Sequence, residues 1–406
     1  MELSGLKFLI THPTIQLIMG STVVAYELAC YLKENNAEVF VFTHFVDRPM
    51  SDFFKNKGID IISEEDDPRL LLNSFDYIWI HSQILPIVLI ERINQFSGGF
   101  RFIFNHMSAI DNIADEFPYI VGFEERISSL SLFVSEEVHD KVSSFYKNKP
   151  RWGFFRNPVP MSFLKNIHYK SRELRKILIV SNHPPKEILE VKNKLKEMGY
   201  SVDTLGEAQD FYELISTELI EDYDLVITIG KTVQYCLVLG VPVFIYDCYG
   251  GYGFLNKENY NFALNYNFSG RYGQKMSSDE IMNNILSNFN QANLYYKNNF
   301  EKFKEEFSIE NNFNKIFENI QIKEIMKIES ECINSYIACQ KFSRRFFETW
   351  GRAVQYESVI KQIGRVVDIK QNALISFGQS RFLKLLVKVL SLLRKIKIFI
   401  INSYKG

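Results

Sequence analysis

Several things are scarce in this chain of 406 residues, and each scarcity narrows what it can be. Cysteine occurs five times, at Cys30, Cys236, Cys248, Cys332 and Cys339, an odd number with no CxxC spacing. That argues against a disulfide framework or a zinc site and for reduced thiols in a cytoplasmic setting. The opening stretch MELSGLKFLITHP has too short an apolar run and too little basic charge for a secretory signal. Long repeats and low-complexity segments are absent. Acidic residues disappear from the last 26 positions, 381–406, which carry seven Lys or Arg. With a net charge of −1 overall, that +7 leaves about −8 on the rest of the chain. An acidic body with its basic residues on an apolar helix, and no recognisable motif, disfavours nucleic acid as a partner.

What is present is ample core material. Hydrophobic residues make up 46% and aromatics 15% of the chain, enough for two packed domains and something more. Short apolar runs at 7–10, 38–42, 77–80, 102–104 and 132–134 alternate with segments of helical spacing such as 23–33 and 87–95. The series restarts at 176–180 and continues at 202–204, 225–229 and 243–246. Short buried strands alternating with helices predict an α/β architecture of parallel sheets covered on both faces. The stretch 157–175, with its prolines and charges, reads as a linker. The expected division is a Rossmann-like half at 1–157, a second at 158–320, and a helical extension at 321–406.

The densest block is DLVITIGKTVQYCLVLGVPVFIYDCYGGYG, Asp224–Gly253. It reads as strand, glycine, helix, strand and glycine loop, which aims backbone N–H groups and a helix N-terminus at one point. Such a point holds phosphate. Gly230, Lys231 and Thr232 are the expected contacts, and Gly250 and Gly251 are expected to approach a ligand closely. The GKT segment is not a Walker A loop, since the earlier glycine and spacing are missing. Five of the seven histidines, His12, His44, His81, His106 and His183, fall where predicted strands end; ligands of open parallel sheets bind there. His139 and His168 read as surface residues. Asp222 and Asp224 form the one Asp-x-Asp, but they precede their strand and so lie away from that edge; no metal is expected.

These motifs resemble the GT-B glycosyltransferases, over roughly residues 5–320, and among them bacterial cell-surface polysaccharide transferases (capsular, exopolysaccharide or lipopolysaccharide). The likeness rests on IGKTVQY, GVPVFIYD and the following GG, on the loop THPTIQLIMGST with Gly20 before helix VVAYELACYL, and on KILIVSNHPPKEI. It implies two facing Rossmann-like domains, the first for the acceptor and the second for a nucleotide-sugar, with no cofactor beyond that substrate. It also implies a sugar contact at His106 and a diphosphate contact at Lys186, joining Lys231 and Thr232 at the helix start; Arg271 is expected to add charge near the acceptor or the phosphate. If the reaction inverts, a base in the first half must take the acceptor proton, and His106, Asp111 and Glu116 are the candidates. Many retaining members carry two glutamates bracketing the helix after the glycine; Ile227 and Tyr235 occupy those places. The ribose contact then falls to Gln234, Asp247 or Glu207, and stereochemistry is not carried over.

In the tail, Arg381, Lys384, Lys388, Ser391 and Lys395 form a polar stripe opposite Leu383, Leu386, Leu390 and Leu393. No uncharged run there reaches the ~20 residues of a bilayer span. A helix lying on an anionic membrane surface is expected, with a helix packed on the protein's own body as the alternative. The functional expectation is a metal-independent transferase acting on a glycan or glycolipid acceptor at the inner membrane face. The alternative is a non-catalytic GT-B partner that stabilises or targets another transferase, with a nucleotide-sugar epimerase as a third reading.

Overall fold

Twelve strands are distributed over two sheets in a computed structural model that describes residues 2–71, 75–95, 101–110, 117–207, 209–321, 327–375 (backbone alone for 361–375) and 391. The first seven are β1 (Lys7–Ile15), β2 (Glu38–Val46), β3 (Asp60–Ile62), β4 (Tyr77–His81), β5 (Arg101–His106), β6 (Ser128–Phe133) and β7 (Trp152–Phe154). They pair in parallel in the order β3-β2-β1-β4-β5-β6-β7. The other five are β8 (Lys176–Val180), β9 (Ser201–Leu205), β10 (Leu225–Thr228), β11 (Val243–Asp247) and β12 (Gly250–Phe254). Their order is β12-β11-β10-β8-β9, parallel except where β12 runs antiparallel to β11.

The helices are α1 (Gly20–Glu34), α2 (Met50–Asn56), α3 (Ile87–Glu91), α4 (Val121–Ile127), α5 (Glu136–Ser143), α6 (Lys186–Glu197), α7 (Thr217–Glu221), α8 (Lys231–Leu239), α9 (Tyr260–Asn265), α10 (Ser278–Phe307), α11 (Ile309–Asn319) and α12 (Ser330–Ile375). The chain divides into two units, Met1–Arg345 and Phe346–Gly406, and both sheets belong to the first. A helical C-terminal region is present as α12; the expected basic helix at 381–406 lies outside the described residues, Ser391 excepted. Among the described residues, no helix is long and apolar enough to cross a membrane.

Central strands are buried along their whole length, as β4 and β6 show, because helices cover both faces of a parallel sheet. All nine residues of α8 are buried; its C-terminal part, Cys236–Leu239, is apolar on every side as a buried helix should be, while Lys231, Thr232 and Gln234 are polar residues buried in its first turn. The longest helix of the first unit's second half, α10, starts with a capping box in which Ser277 and Glu280 satisfy each other's backbone N–H. The chain then returns to the first sheet. Ile309, Phe313 and Ile316 of α11 join the core of Phe8, Tyr31 and Trp79, so part of the stretch expected to belong to the second half packs with the first.

The two chain crossings lie side by side. Val159 N–H donates to the Phe307 carbonyl at 2.7 Å, and Ile309 N–H donates to the Val159 carbonyl at 3.1 Å.

Two features differ from the sequence reading. Strands β1 and β2 run to Ile15 and Val46, so His12 and His44 lie inside them rather than beyond their ends. The glycine turn at 250–254 is an edge strand. A Cβ on Gly251 would sit 2.0 Å from the Ile245 carbonyl oxygen and one on Gly250 2.8 Å from that of Gln274. Glycine is required there so that backbones can approach.

Candidate functional site

A cleft of about 620 Å³ opens between the C-terminal edges of the two sheets. The first sheet contributes the loop after β1 (Ile18–Ser21) and the residues after β5 (Met107, Ser108). The second contributes the turns after β8, β9, β10 and β11. Ligands of open α/β sheets occupy this edge.

At its base is the start of α8. Gly230 has φ 60° and ψ −136°, a region open in practice only to glycine. That turn ends β10 and immediately begins the helix; the Val233 N–H donates to the Gly230 carbonyl at 2.9 Å, and the N–H groups of Lys231 and Thr232 have no acceptor within the helix. Lys231 and Thr232 bring that first turn to the cleft wall. Two buried polar atoms of cleft-lining residues have no hydrogen-bond partner among the described residues: Ser269 Oγ and Asn157 Oδ1. An unpaired polar group in a buried position is unfavourable, which marks both as unsatisfied positions of the cleft wall. Arg271 also lines the cleft. Its guanidinium forms a bidentate pair with Glu137 of α5, at 2.9 Å from Nε to Oε1 and 2.5 Å from Nη2 to Oε2. The carboxylate holds the Arg271 pKa above its usual value despite burial.

Lys231 is placed differently from a simple phosphate ligand. Its ammonium lies 2.7 Å from Glu27 Oε2 of α1 and donates to the carbonyls of Asn157 (3.0 Å) and Pro158 (2.5 Å). All three donors are therefore committed. The Tyr235 hydroxyl donates to the other Glu27 oxygen. Burial raises the Glu27 pKa and lowers that of Lys231, and each partner opposes the shift of the other. The cluster ties α8 to α1 and to the crossing at 157–158.

No protein-family model matches the chain, and no curated protein matches it. Solved structures do. A glycosyltransferase from Rickettsia africae ESF-5 superposes with a TM-score of 0.50 at 12% identity, over 77% of this chain and 97% of that one. The fold is GT-B. WaaG, a glycosyltransferase involved in lipopolysaccharide biosynthesis, gives a TM-score of 0.47 at 10% identity, over 74% of this chain and 100% of its own. The spinosyn rhamnosyltransferase SpnG, solved with thymidine diphosphate, gives 0.42 at 9% identity, over 77% and 100%.

The GT-B cleft brings together Gly20, Gly230, Lys231, Thr232, Asp247 and Arg271 from the expected set, with His183. Asp247 accepts the N–H groups of Tyr249 (2.7 Å) and Gly270 (2.8 Å), so it shapes the cleft wall. Other expected residues lie elsewhere. His106 is buried beside the cleft, with Nε2 at 2.9 Å from Glu124 Oε1 and 3.2 Å from the Tyr146 hydroxyl; its neighbours Met107 and Ser108 face the cavity instead. Lys186 begins α6, with an 87% exposed side chain paired to Glu190 at 3.4 Å. The Glu207 N–H donates to Asn182 Oδ1 at 2.9 Å, and the residue is not among those lining the cleft. Gln234 is buried, and its amide is oriented to donate to the Gly230 and Lys231 carbonyls. Gly250 and Gly251 serve strand packing. Asp111 and Glu116 lie outside the described residues.

Further placements follow the sequence less closely. His139 is only 15% exposed in its side chain and packs against Trp152 with tilted rings 4.1 Å apart between centroids, so it is not the surface residue expected, whereas His168 is exposed. Asp224 accepts the N–H groups of Arg175 and Lys176 at the opposite end of the sheet. Among the described residues, no group of three or more His, Cys, Asp or Glu is placed to hold a metal ion. Glu27, Glu137, Asn157 and Ser269 were missed because no motif marks them; their roles depend on contacts 74 to 208 residues away or on burial.

Proposed function

We propose that this chain is a glycosyltransferase that moves a sugar from a nucleotide-sugar donor to a lipid-linked or cell-surface polysaccharide acceptor. The supporting observation is the convergence of the α8 N-terminus, the unpartnered Ser269 hydroxyl and the Arg271 guanidinium on one side of the cleft. A diphosphate leaving group gains negative charge as the sugar departs, and fixed N–H donors and a guanidinium stabilise that charge. Those groups supply the stabilisation from the protein itself, and we read the transfer as metal-independent. We assign the 381–406 segment, with its seven basic residues, to an anionic membrane surface, which makes the protein peripheral at the inner face of the cell membrane.

Replacing Arg271 with glutamine is expected to weaken binding of the nucleoside diphosphate by ~10- to 100-fold, the worth of a charge-assisted hydrogen bond. Titration calorimetry on the folded variant checks this; unchanged affinity removes Arg271 from the donor site. A second reading, a non-catalytic GT-B partner, is favoured by one observation. The two positions that carry glutamates in many retaining enzymes hold the buried Ile227 and a Tyr235 engaged with Glu27. Release of nucleoside diphosphate that depends on an acceptor supports transfer; donor binding without release supports the partner reading.

A further inference from the structure

The second unit, Phe346–Gly406, carries a helical surface that the cleft does not use. Along α12, at alternating steps of four and three from Phe342 to Val367, the sequence holds Phe, Phe, Thr, Ala, Tyr, Ile, Ile and Val. That spacing keeps these positions on one stripe of a helix. Within the second unit the stripe is open. Phe346 is 37% exposed, Tyr356 68% and Ile360 45%, and Thr349 and Ala353 between them are exposed as well. The other side of the same helix is covered, since Phe347 is 4% exposed and Gly351 is buried. The helix thus has one face engaged and a second, apolar face in solvent.

The spacing indicates what fits that second face. Steps of four and three sustained over more than three heptads are the pattern of two helices wound about each other. With Phe346, Ala353 and Ile360 at the a positions and Thr349 and Tyr356 at d, Arg352 is a g residue and Glu357 the following e residue. In a parallel pair in register, each g residue faces the next e residue of the other helix. Arg352 of each copy then meets Glu357 of the other, so the stripe is complementary to itself. Its charge does not suit an anionic lipid surface. Residues 346–375 hold four Lys or Arg and three Asp or Glu, a net +1, whereas 381–406 hold seven basic residues and no acidic one.

We infer that α12 pairs through this stripe with a second copy of the chain, as a parallel two-stranded coiled coil in register. Thr349 and Ala353 are small and let the helices approach, while Phe346, Tyr356 and Ile360 supply the apolar contacts on either side. Pairing in this sense sends both chains on from the same end of the coil. The two 381–406 segments then meet a surface as a linked pair, and linked sites hold more tightly than single ones.

The test uses the full-length protein in size-exclusion chromatography with light scattering. Wild type is expected to have the mass of two chains. Tyr356→Asp and Ile360→Asp, which bury an unpaired charge in the pair, should weaken it by ~100-fold or more; Ser358→Asp, on the outer side, should not. Arg352→Glu should weaken it too, and adding Glu357→Arg should restore it, a rescue that a folding defect would not show. Under mild oxidation Tyr356→Cys should link two chains by a disulfide, and Ser358→Cys should not. A monomer at every soluble concentration, or a dimer that both aspartate variants leave intact, overturns the pairing. A monomer whose melting temperature the aspartate variants lower gives this face to the chain's own 381–406 segment. A monomer that binds phosphatidylcholine vesicles, with binding lost in those variants, gives it to lipid. Either overturns the inference, and a dimer without the Tyr356→Cys link overturns the parallel register.

Discussion

Replacing Lys231 with methionine should destabilise the fold by about 3–5 kcal/mol, the effect of leaving a buried carboxylate without its cation. The ammonium contacts Glu27 and two carbonyls of the inter-lobe crossing, and its side chain is 6% exposed. Nearby water therefore cannot take over. Removing both charges in Glu27→Leu/Lys231→Met should restore most of the stability, because well-packed apolar groups can replace a buried ion pair at little net change. The deficit of the single variant also has a signed pH dependence. With Lys231 gone, burial acts on Glu27 opposed only by the Tyr235 hydrogen bond, and it raises the folded pKa further, a direction already present in the wild type. A raised carboxyl pKa gives stability that is present at low pH and lost as pH rises, so the deficit should shrink below neutrality. Urea denaturation of the two variants at pH 7 and pH 5 measures this. A loss confined to nucleotide affinity, with stability unchanged, would return Lys231 to the role of a phosphate ligand.

Acid should unfold the first lobe through three buried histidines. Burial lowers His12 to about 4 and His44 to about 3, and it takes His81, aided by the neighbouring His12, well below its usual value. The folded state thus holds neutral rings, whereas the unfolded chain binds protons near pH 6.5. Depressed folded pKa values mean that stability is complete above about 6.5 and is lost as pH falls toward 4. Each histidine contributes roughly 2 kcal/mol of loss by pH 5, so three together approach the total stability of an ordinary domain, about 5–15 kcal/mol. The rings of His12 and His81 lie 5.9 Å apart, which adds repulsion once both are charged. Equilibrium denaturation between pH 7 and pH 5 should show uptake of close to three protons on unfolding, and His44→Gln should remove one. A flat profile over that interval would contradict the neutral assignment.

Most of the secondary structure was legible because the strands of parallel sheets are short apolar runs, and those runs mark β1, β2, β4 to β6 and β8 to β11. The three that were not read fail for separate reasons. DII and WGF are three residues long, below the length at which a pattern shows. GGYGF reads as a turn because glycine weakens strands, yet its backbone must pass close to Ile245 and Gln274. The site divides along the same line. The turn at Gly230 and the start of α8 were visible from local order, since a strand, a glycine and a helix follow one another in sequence. The partners were not. Nothing near Lys231 in the sequence indicates that Glu27 will reach it, and nothing near Arg271 indicates Glu137. His106 illustrates the limit of strand-end reasoning: the strand delivers it to the correct edge, but the buried Glu124 carboxylate, which accepts from the Ser131 and Tyr146 hydroxyls, also engages the ring beside the cavity.

The most direct test is a ligand-detected NMR screen of the purified full-length protein against UDP-, GDP-, dTDP- and CMP-sugars. A nucleotide-sugar donor in the cleft predicts saturation transfer to at least one of them, with the signal strongly reduced in Arg271→Gln. No signal from any of the four with folded wild-type protein, or a signal untouched by the Arg271 change, would contradict the assignment of the cleft to a nucleotide-sugar.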